Sequence, residues 1–102
     1  MKKQTFNHRN SSKLTEVIKS LMQKEGYIKY TRPSISGSGD EVHVLKNPKT
    51  GFIVEFCTKI HPTLGSNYVN WARVCGKEEA VNKFQAAVGF YSTMELKFTA
   101  SL

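Results

Sequence analysis

The sequence lacks the features of a membrane protein, a metal-bound protein and a disulfide-rich secreted protein. No run approaches the roughly 18 apolar residues that a membrane-spanning helix needs, and residues 1–10 are polar and basic, without the apolar stretch of a secretory signal. The only two cysteines, Cys57 and Cys75, have no C-x-x-C spacing and no histidine at zinc-finger spacing. We therefore expect a cytoplasmic protein with no membrane segment, no metal and no cofactor. Whether the two cysteines are paired stays open.

Acidic residues are also scarce. The chain has 8 Asp and Glu against 15 Lys and Arg, so its formal net charge is +7. An excess of this kind favours a polyanionic partner, either nucleic acid or an acidic protein surface. A net charge of this size also occurs in small domains for solubility alone.

The length of 102 residues and the 39% hydrophobic content allow one domain with one core. Residues 1–10 carry several basic side chains and little to pack, and they predict a flexible basic N-terminal arm. Residues 11–102 contain all the periodic patterns. They predict a single α+β domain.

Two stretches repeat apolar residues at helical spacing. They predict helices over residues 12–25 and 77–91. The first stripe is Leu14, Val17, Ile18, Leu21 and Met22, and the second is Ala80, Val81, Phe84, Ala87, Val88 and Tyr91. Gly26 follows the first stripe, where a glycine is typical of a helix end.

The strongest strand signal is a β-hairpin with strands over residues 41–45 and 52–59 around the turn 47–51, which contains Pro48 and Gly51. Further strands are predicted over 27–31, 68–75 and 94–100, and residues 34–40 read as a Ser/Gly loop. The order is then α-β-β-β-β-α-β. It predicts an antiparallel sheet of four to five strands with both helices packed on one face.

Alternation also predicts which side chains of the hairpin face the helices. Phe52, Val54 and Phe56 form one apolar side, and Val42 and Val44 are expected to join them. The other side, with His43 and Glu55 among its residues, should be at least half exposed to water.

Basic and aromatic residues recur together along the predicted strands. On the wet face of a sheet, aromatic rings stack on unpaired bases while Arg and Lys bind phosphates. The candidate nucleic-acid-binding residues are Lys2, Lys3, Arg9, Lys29, Tyr30, Arg32, Lys46, Lys49, Lys59, Tyr68 and Arg73. Trp71 belongs to the same stretch, but packing in the core is the alternative for Trp71, Tyr30 and Tyr68.

His43 is the one candidate catalytic residue. It alternates with Val42 and Val44, and Glu41 shares its side of the strand. A histidine beside a carboxylate has the chemistry of a general base acting on an RNA 2′-hydroxyl. The alternative is a surface histidine on a half-exposed strand.

Two weak resemblances concern the fold. The run Gly76-Lys77-Glu78-Glu79-Ala80 and the later Ala86-Ala87-Val88 resemble the second helix of double-stranded-RNA-binding domains, which have the order α-β-β-β-α. The first half, a helix followed by Gly26-Tyr27, a Gly-Ser loop and a hairpin, is similar to HicA-type ribonuclease toxins. Those toxins place a catalytic histidine directly after a Gly-Ser pair, whereas Gly37-Ser38 is followed here by Gly39-Asp40. Both resemblances are at the level of the fold, and they imply an α+β fold.

Three functions remain open from the sequence. The leading hypothesis is a small basic nucleic-acid-binding protein without catalytic activity, with RNA favoured over DNA because neither helix has the polar base-reading face of a helix-turn-helix pair. The second is an inhibitor or adaptor that binds an acidic partner protein. The third is a His-dependent ribonuclease that uses His43.

Overall fold

Residues 1–34 and 41–89 form five strands, one 3-10 helix and two α-helices. A computed structural model describes residues 1–34 and 41–89 of the chain. The elements are β1 (Lys2–Phe6), a 3-10 helix (His8–Asn10), α1 (Ser11–Gln23), β2 (Ile28–Pro33), β3 (Glu41–Lys46), β4 (Ile53–Ile60), β5 (Asn67–Gly76) and α2 (Glu78–Val88). All five strands belong to one antiparallel sheet in the order β1-β5-β4-β3-β2. The predicted α+β class is confirmed.

Both helices pack on one face of this sheet. The apolar stripe of α1 buries Leu14 and Ile18, and that of α2 buries Val81, Phe84 and Val88. The sheet contributes Phe6, Leu45, Phe52, Val54, Phe56, Val69, Ala72 and Val74 to the same cluster. Each large side chain buried here stabilises the fold by roughly 1.5–3 kcal/mol relative to exposure.

Two turns of the same design connect β3 to β4 and β4 to β5. In each turn, the side chain of the residue before the proline accepts hydrogen bonds from two backbone N–H groups. The carbonyl oxygen of the same residue accepts a third hydrogen bond, from the N–H of the glycine four residues later. Asn47 Oδ1 accepts from Lys49 and Thr50 at 3.0 and 3.3 Å, and His61 Nδ1 accepts from Thr63 and Leu64 at 3.2 Å each. The closing glycines, Gly51 and Gly65, have φ of 77° and 69°, which side chains disfavour. The predicted hairpin is therefore confirmed. Its first strand is one residue longer than predicted, and its second strand is shifted by one residue.

The N-terminal residues differ from the flexible arm that the sequence predicts. Lys2–Phe6 form the edge strand β1, which pairs with β5 from Lys2↔Gly76 to Phe6↔Ala72. Phe6 is buried and its ring lies 5.5 Å from that of Phe84. The pairing is non-local, so the short polar sequence of residues 1–10 carried no alternation strong enough to predict it.

The predicted strand over 94–100 and most of the predicted Ser/Gly loop lie outside the described residues. The second helix was predicted to reach residue 91, but it ends at Val88, with Gly89 as its C-cap. Neither helix in residues 1–34 and 41–89 has the length and apolar character needed to cross a membrane.

Candidate nucleic-acid interface

Strand alternation divides the sheet into a face that packs against the helices and a face on which, within the described residues, no helix lies. We call the second the open face. Its side chains follow from the registers: Arg73 is opposite Glu55 and Thr5, and Glu55 is opposite Val44. The open face consists of Lys3 and Thr5 on β1, Tyr68, Trp71, Arg73 and Cys75 on β5, Ile53, Glu55, Cys57 and Lys59 on β4, Val42, Val44 and Lys46 on β3, and Ile28, Tyr30 and Arg32 on β2.

An ion-pair cluster crosses the middle of the open face. Arg73 donates from Nε and Nη2 to Glu55 Oε1 at 3.0 and 2.8 Å, and Arg32 Nε donates to Glu55 Oε2 at 3.1 Å. Arg32 Nη2 also pairs with Oε2. The Glu55 side chain is 15% exposed, whereas those of Arg32 and Arg73 are 28% and 36% exposed. The carboxylate is therefore enclosed by two guanidiniums that still reach the solvent.

The cluster sets the protonation of Glu55. Burial by itself raises the pKa of the carboxyl, but the hydrogen bonds and charges of Arg32 and Arg73 outweigh it and hold the pKa below its ordinary value. Glu55 is consequently an anion at neutral pH, and it holds both guanidiniums in fixed positions. The group as a whole retains one net positive charge.

The arginine on β2 reaches Glu55 across an intervening strand. Strands β2 and β4 are two sheet spacings apart, about 10 Å. The side chain of Arg32 must therefore lie over β3, where Val42 and Val44 point to the open face and are buried. The aliphatic stem of an arginine covers apolar surface well. Arg32 thus contributes to the burial of these valines and presents its charged end at the centre of the face.

Trp71 lies on the open face and outside the helix-packed core. It is opposite Cys57 and partly exposed. Arg73 Cζ lies 5.8 Å from the centroid of its ring, which is cation–π distance. Of the two alternatives that the sequence left for Trp71, the structure places it outside the helix-packed core, with a partly exposed ring next to a guanidinium.

Carboxylates are distributed unequally between the two sides of the molecule. Five basic side chains lie on the open face, Lys3, Arg32, Lys46, Lys59 and Arg73. In the described part of the chain its only acidic side chain is Glu55, which both arginines already neutralise. The other described carboxylates, Glu16, Glu25, Glu41, Glu78 and Glu79, lie on the helix side of the sheet or on and beside the helices. The open face therefore carries a net charge of +4, half of the net charge of the described residues, and its one carboxylate is already paired.

The structure brings seven of the eleven predicted binding residues together on this face: Lys3, Tyr30, Arg32, Lys46, Lys59, Tyr68 and Arg73. The other four are elsewhere. Lys2 points to the helix side, where its Nζ donates to Asn82 Oδ1 at 2.6 Å. Lys29 shares the helix side with its partner Leu45, Arg9 is in the 3-10 helix, and Lys49 is in the β3–β4 turn.

Two residues of the site were absent from the predicted set. Glu55 organises the two arginines, and its signal is a carboxylate placed between Val54 and Phe56 in an otherwise apolar strand. Trp71 has a comparable signal, since it is two residues from Arg73 and must share its side of the strand.

The predicted orientation of β3 is wrong. His43 is opposite Phe56 and stacks on its ring with centroids 5.1 Å apart, so it lies on the helix side of the sheet. Val42 and Val44, which were expected to face the helices, point to the open face. Both sides of this strand carry apolar residues, Leu45 on one and the valines on the other, so alternation alone could not choose between them. The candidate catalytic residue is thus separated from the basic face.

The two cysteines occupy different rungs of the open face. Cys57 is opposite Trp71 and Cys75 is opposite Ile53. Four residues of strand separate the two rungs, about 13 Å, which is beyond the reach of a disulfide. Within residues 1–34 and 41–89, no group of three or more His, Cys, Asp or Glu is placed to hold a metal ion.

Comparison with known proteins adds no family to this picture. A scan against protein-family models, a search of curated proteins and a search of solved structures each gave no match to the chain. The functional argument therefore depends on the open face itself.

Proposed function

We propose that the protein binds nucleic acid, with RNA favoured over DNA, through the open face of its sheet and without catalysing a reaction. The observation that carries this proposal is a sheet face whose five basic side chains share it with one, already paired, carboxylate and with the rings of Trp71 and Tyr68. Basic side chains that bind phosphates beside aromatic rings that stack on bases are the two components that sheet-based nucleic-acid recognition needs.

The arrangement of the arginines supports the same proposal. Glu55 fixes both guanidiniums, so less side-chain entropy is lost when they contact an anion. Guanidiniums bind phosphate oxygens through paired N–H groups. Arg32 and Arg73 each keep part of the side chain exposed for such a contact.

The experiment is a titration of a labelled RNA against the protein at several salt concentrations, with DNA of the same sequence alongside. Each phosphate neutralised in a single strand contributes about 0.7 to the slope of log affinity against log salt. The open face has five basic residues, and two of them are also paired with Glu55. We therefore expect a slope of about −2 to −4. Undetectable binding at about 0.1 M salt, or an affinity that does not fall as salt is added, would contradict the proposal.

A second function, binding of a partner protein, has one observation in its favour. Within the described residues, β2 has a neighbour on only one side, and its Ile28 and Tyr30 are about half exposed. An edge strand of this kind can add an extended peptide from another chain. A stoichiometric protein partner that remains bound after nuclease treatment, and is lost when Thr31 is replaced by proline, would favour this function over the first.

A further inference from the structure

The two central strands extend beyond their neighbours. β1 pairs with β5 only from Ala72 onward, and β3 pairs with β4 only as far as Phe56. Beyond these points β4 and β5 continue as a pair through Cys57↔Trp71 to Ile60↔Asn67. We call this projecting part, residues 57–71 with its turn, the ribbon.

A β-bulge in the ribbon determines which of its side chains share the open face. Cys57 is opposite Trp71 but Thr58 is opposite Val69, so Asn70 is an extra residue in β5. Val69 is buried in the core, and the hydroxyl of Thr15 on α1 accepts its N–H at 2.9 Å. Without the extra residue, Val69 would share the side of Trp71. With the extra residue, Tyr68 shares the side of Trp71, next to its partner Lys59.

Along β5, the open face therefore presents Arg73, Trp71 and Tyr68 in succession. Arg73 and Trp71 are two positions apart, about 6–7 Å, and the bulged step from Trp71 to Tyr68 spans about 7–10 Å. His61 from the turn packs its ring edge-on against Tyr68, with centroids 6.2 Å apart, which holds the tyrosine ring in place. Lys59 lies beside Tyr68 on the neighbouring strand.

This spacing is larger than the 3.4 Å between stacked bases in a duplex strand. Bases that rest on Trp71 and on Tyr68 must therefore be unstacked from one another, which a duplex does not allow. Tyr30, the third ring of the open face, is on the far edge strand β2, three strands away from β5. It cannot belong to the same row.

We propose that the ligand is a single strand that runs along β5, with phosphates near Arg73 and Lys59 and one unpaired base on each of Trp71 and Tyr68. This inference rests on the proposed function and deepens it in two ways: it names the strandedness of the nucleic acid and its direction along the sheet. The ribbon is then part of the binding site, and Tyr30 on the edge strand β2 is outside this row.

The test uses a fluorescein-labelled single-stranded RNA of roughly ten nucleotides, alone and annealed to its complement. Trp71→Ala and Tyr68→Ala are each expected to weaken single-strand binding about tenfold or more, because base–aromatic stacking contributes that much. Ile28→Ala is the matched control, since it removes an exposed side chain of the same face outside this row, and it should change the affinity less than about twofold.

Because the chain has one tryptophan, the wild-type protein gives a second readout that needs no variant. Single-stranded RNA should quench the fluorescence of Trp71, and Trp71→Phe should keep most of the affinity because it keeps a ring. Equal losses for Ile28→Ala and Tyr68→Ala would overturn the path along β5. Duplex binding as tight as single-strand binding, with unchanged tryptophan fluorescence, would overturn the inference while leaving the proposed function standing. No binding of either form would overturn both.

Discussion

At the scale of single residues, Glu55 is the side chain that organises the site. It is a mostly buried carboxylate between two arginines from different strands, and each of its oxygens accepts from one of them. Its lowered pKa shows that the arginines more than compensate for the burial. The role is positional, since Glu55 holds the cations that would contact a ligand.

We predict that Glu55→Gln lowers the free energy of unfolding by about 1–2 kcal/mol at neutral pH, because the side chain loses its negative charge and one of the two oxygens that accept from the arginines. A carboxyl with a lowered folded-state pKa stabilises the fold above its ordinary pKa and loses this effect as pH falls through the lowered value. The difference from wild type should therefore shrink below about pH 4. Urea unfolding at pH 7 and pH 3 measures it.

The control for this prediction is Glu25→Gln, which removes an exposed carboxylate just after α1. It should change stability by less than about 0.5 kcal/mol. A deficit in Glu55→Gln that stays the same at both pH values would show that the charge of Glu55 is not what stabilises the cluster.

His43 makes a different prediction, because it is on the helix side, stacked on Phe56. Replacing it by alanine should cost about 0.5–1.5 kcal/mol of stability and should not alter the integrity of RNA incubated with the protein. Gel analysis of labelled RNA after incubation with wild type and His43→Ala checks this. Cleavage by the wild type that the variant lacks would establish the ribonuclease alternative instead.

At the scale of elements, the local patterns were sufficient for the helices and the hairpin. The helix predicted over 12–25 is found at Ser11–Gln23, and the one predicted over 77–91 is found at Glu78–Val88. Each is encoded by its own apolar stripe, which depends on no distant residue. The hairpin likewise has its turn residues, Asn47 to Gly51, within its own sequence.

What the sequence could not supply was pairing between distant segments. Strand β1 exists because β5 has a free edge and Phe6 has a place beside Phe84, and neither fact is visible in residues 1–10. The side of His43 depends on the register of β3 with β4. The sequence therefore predicted seven of the basic and aromatic residues of the open face one by one. It did not predict that they share one surface.

The end of β5 provides a prediction at this scale. Gly76 pairs with Lys2, and a Cβ atom built on it would lie 3.0 Å from Phe52 Cδ1 and 3.3 Å from Phe52 Cα. Gly76→Ala should therefore lower the free energy of unfolding by about 1–3 kcal/mol through overpacking. Thermal or urea unfolding measures the loss.

The loss of stability in Gly76→Ala should depend on the side chain of Phe52. In the double variant Phe52→Val with Gly76→Ala, part of the added cost should disappear because valine has no Cδ atom to meet the added methyl group. Strictly additive losses would show that the clash with Phe52 is not the cause.

At the scale of the whole molecule, the fold separates two tasks. One side of the sheet holds the helices and the core, and nearly all of the described carboxylates lie on that side or on the helices. The other side collects basic and aromatic residues from all five strands. Because the long-range field depends on net charge and the contact depends on placement, the two contributions can be separated by experiment.

The most direct measurement compares two double variants that lower the net charge equally. Lys46→Gln with Lys59→Gln removes two cations of the open face, and Lys19→Gln with Lys83→Gln removes two exposed cations of the helices. Single-stranded RNA affinity against salt should show a slope reduced by about 1–2 for the first pair. It should stay near the wild-type slope for the second. Equal reductions of the slope in both double variants would contradict binding by the open face. They would show that the affinity depends only on the overall charge of the chain.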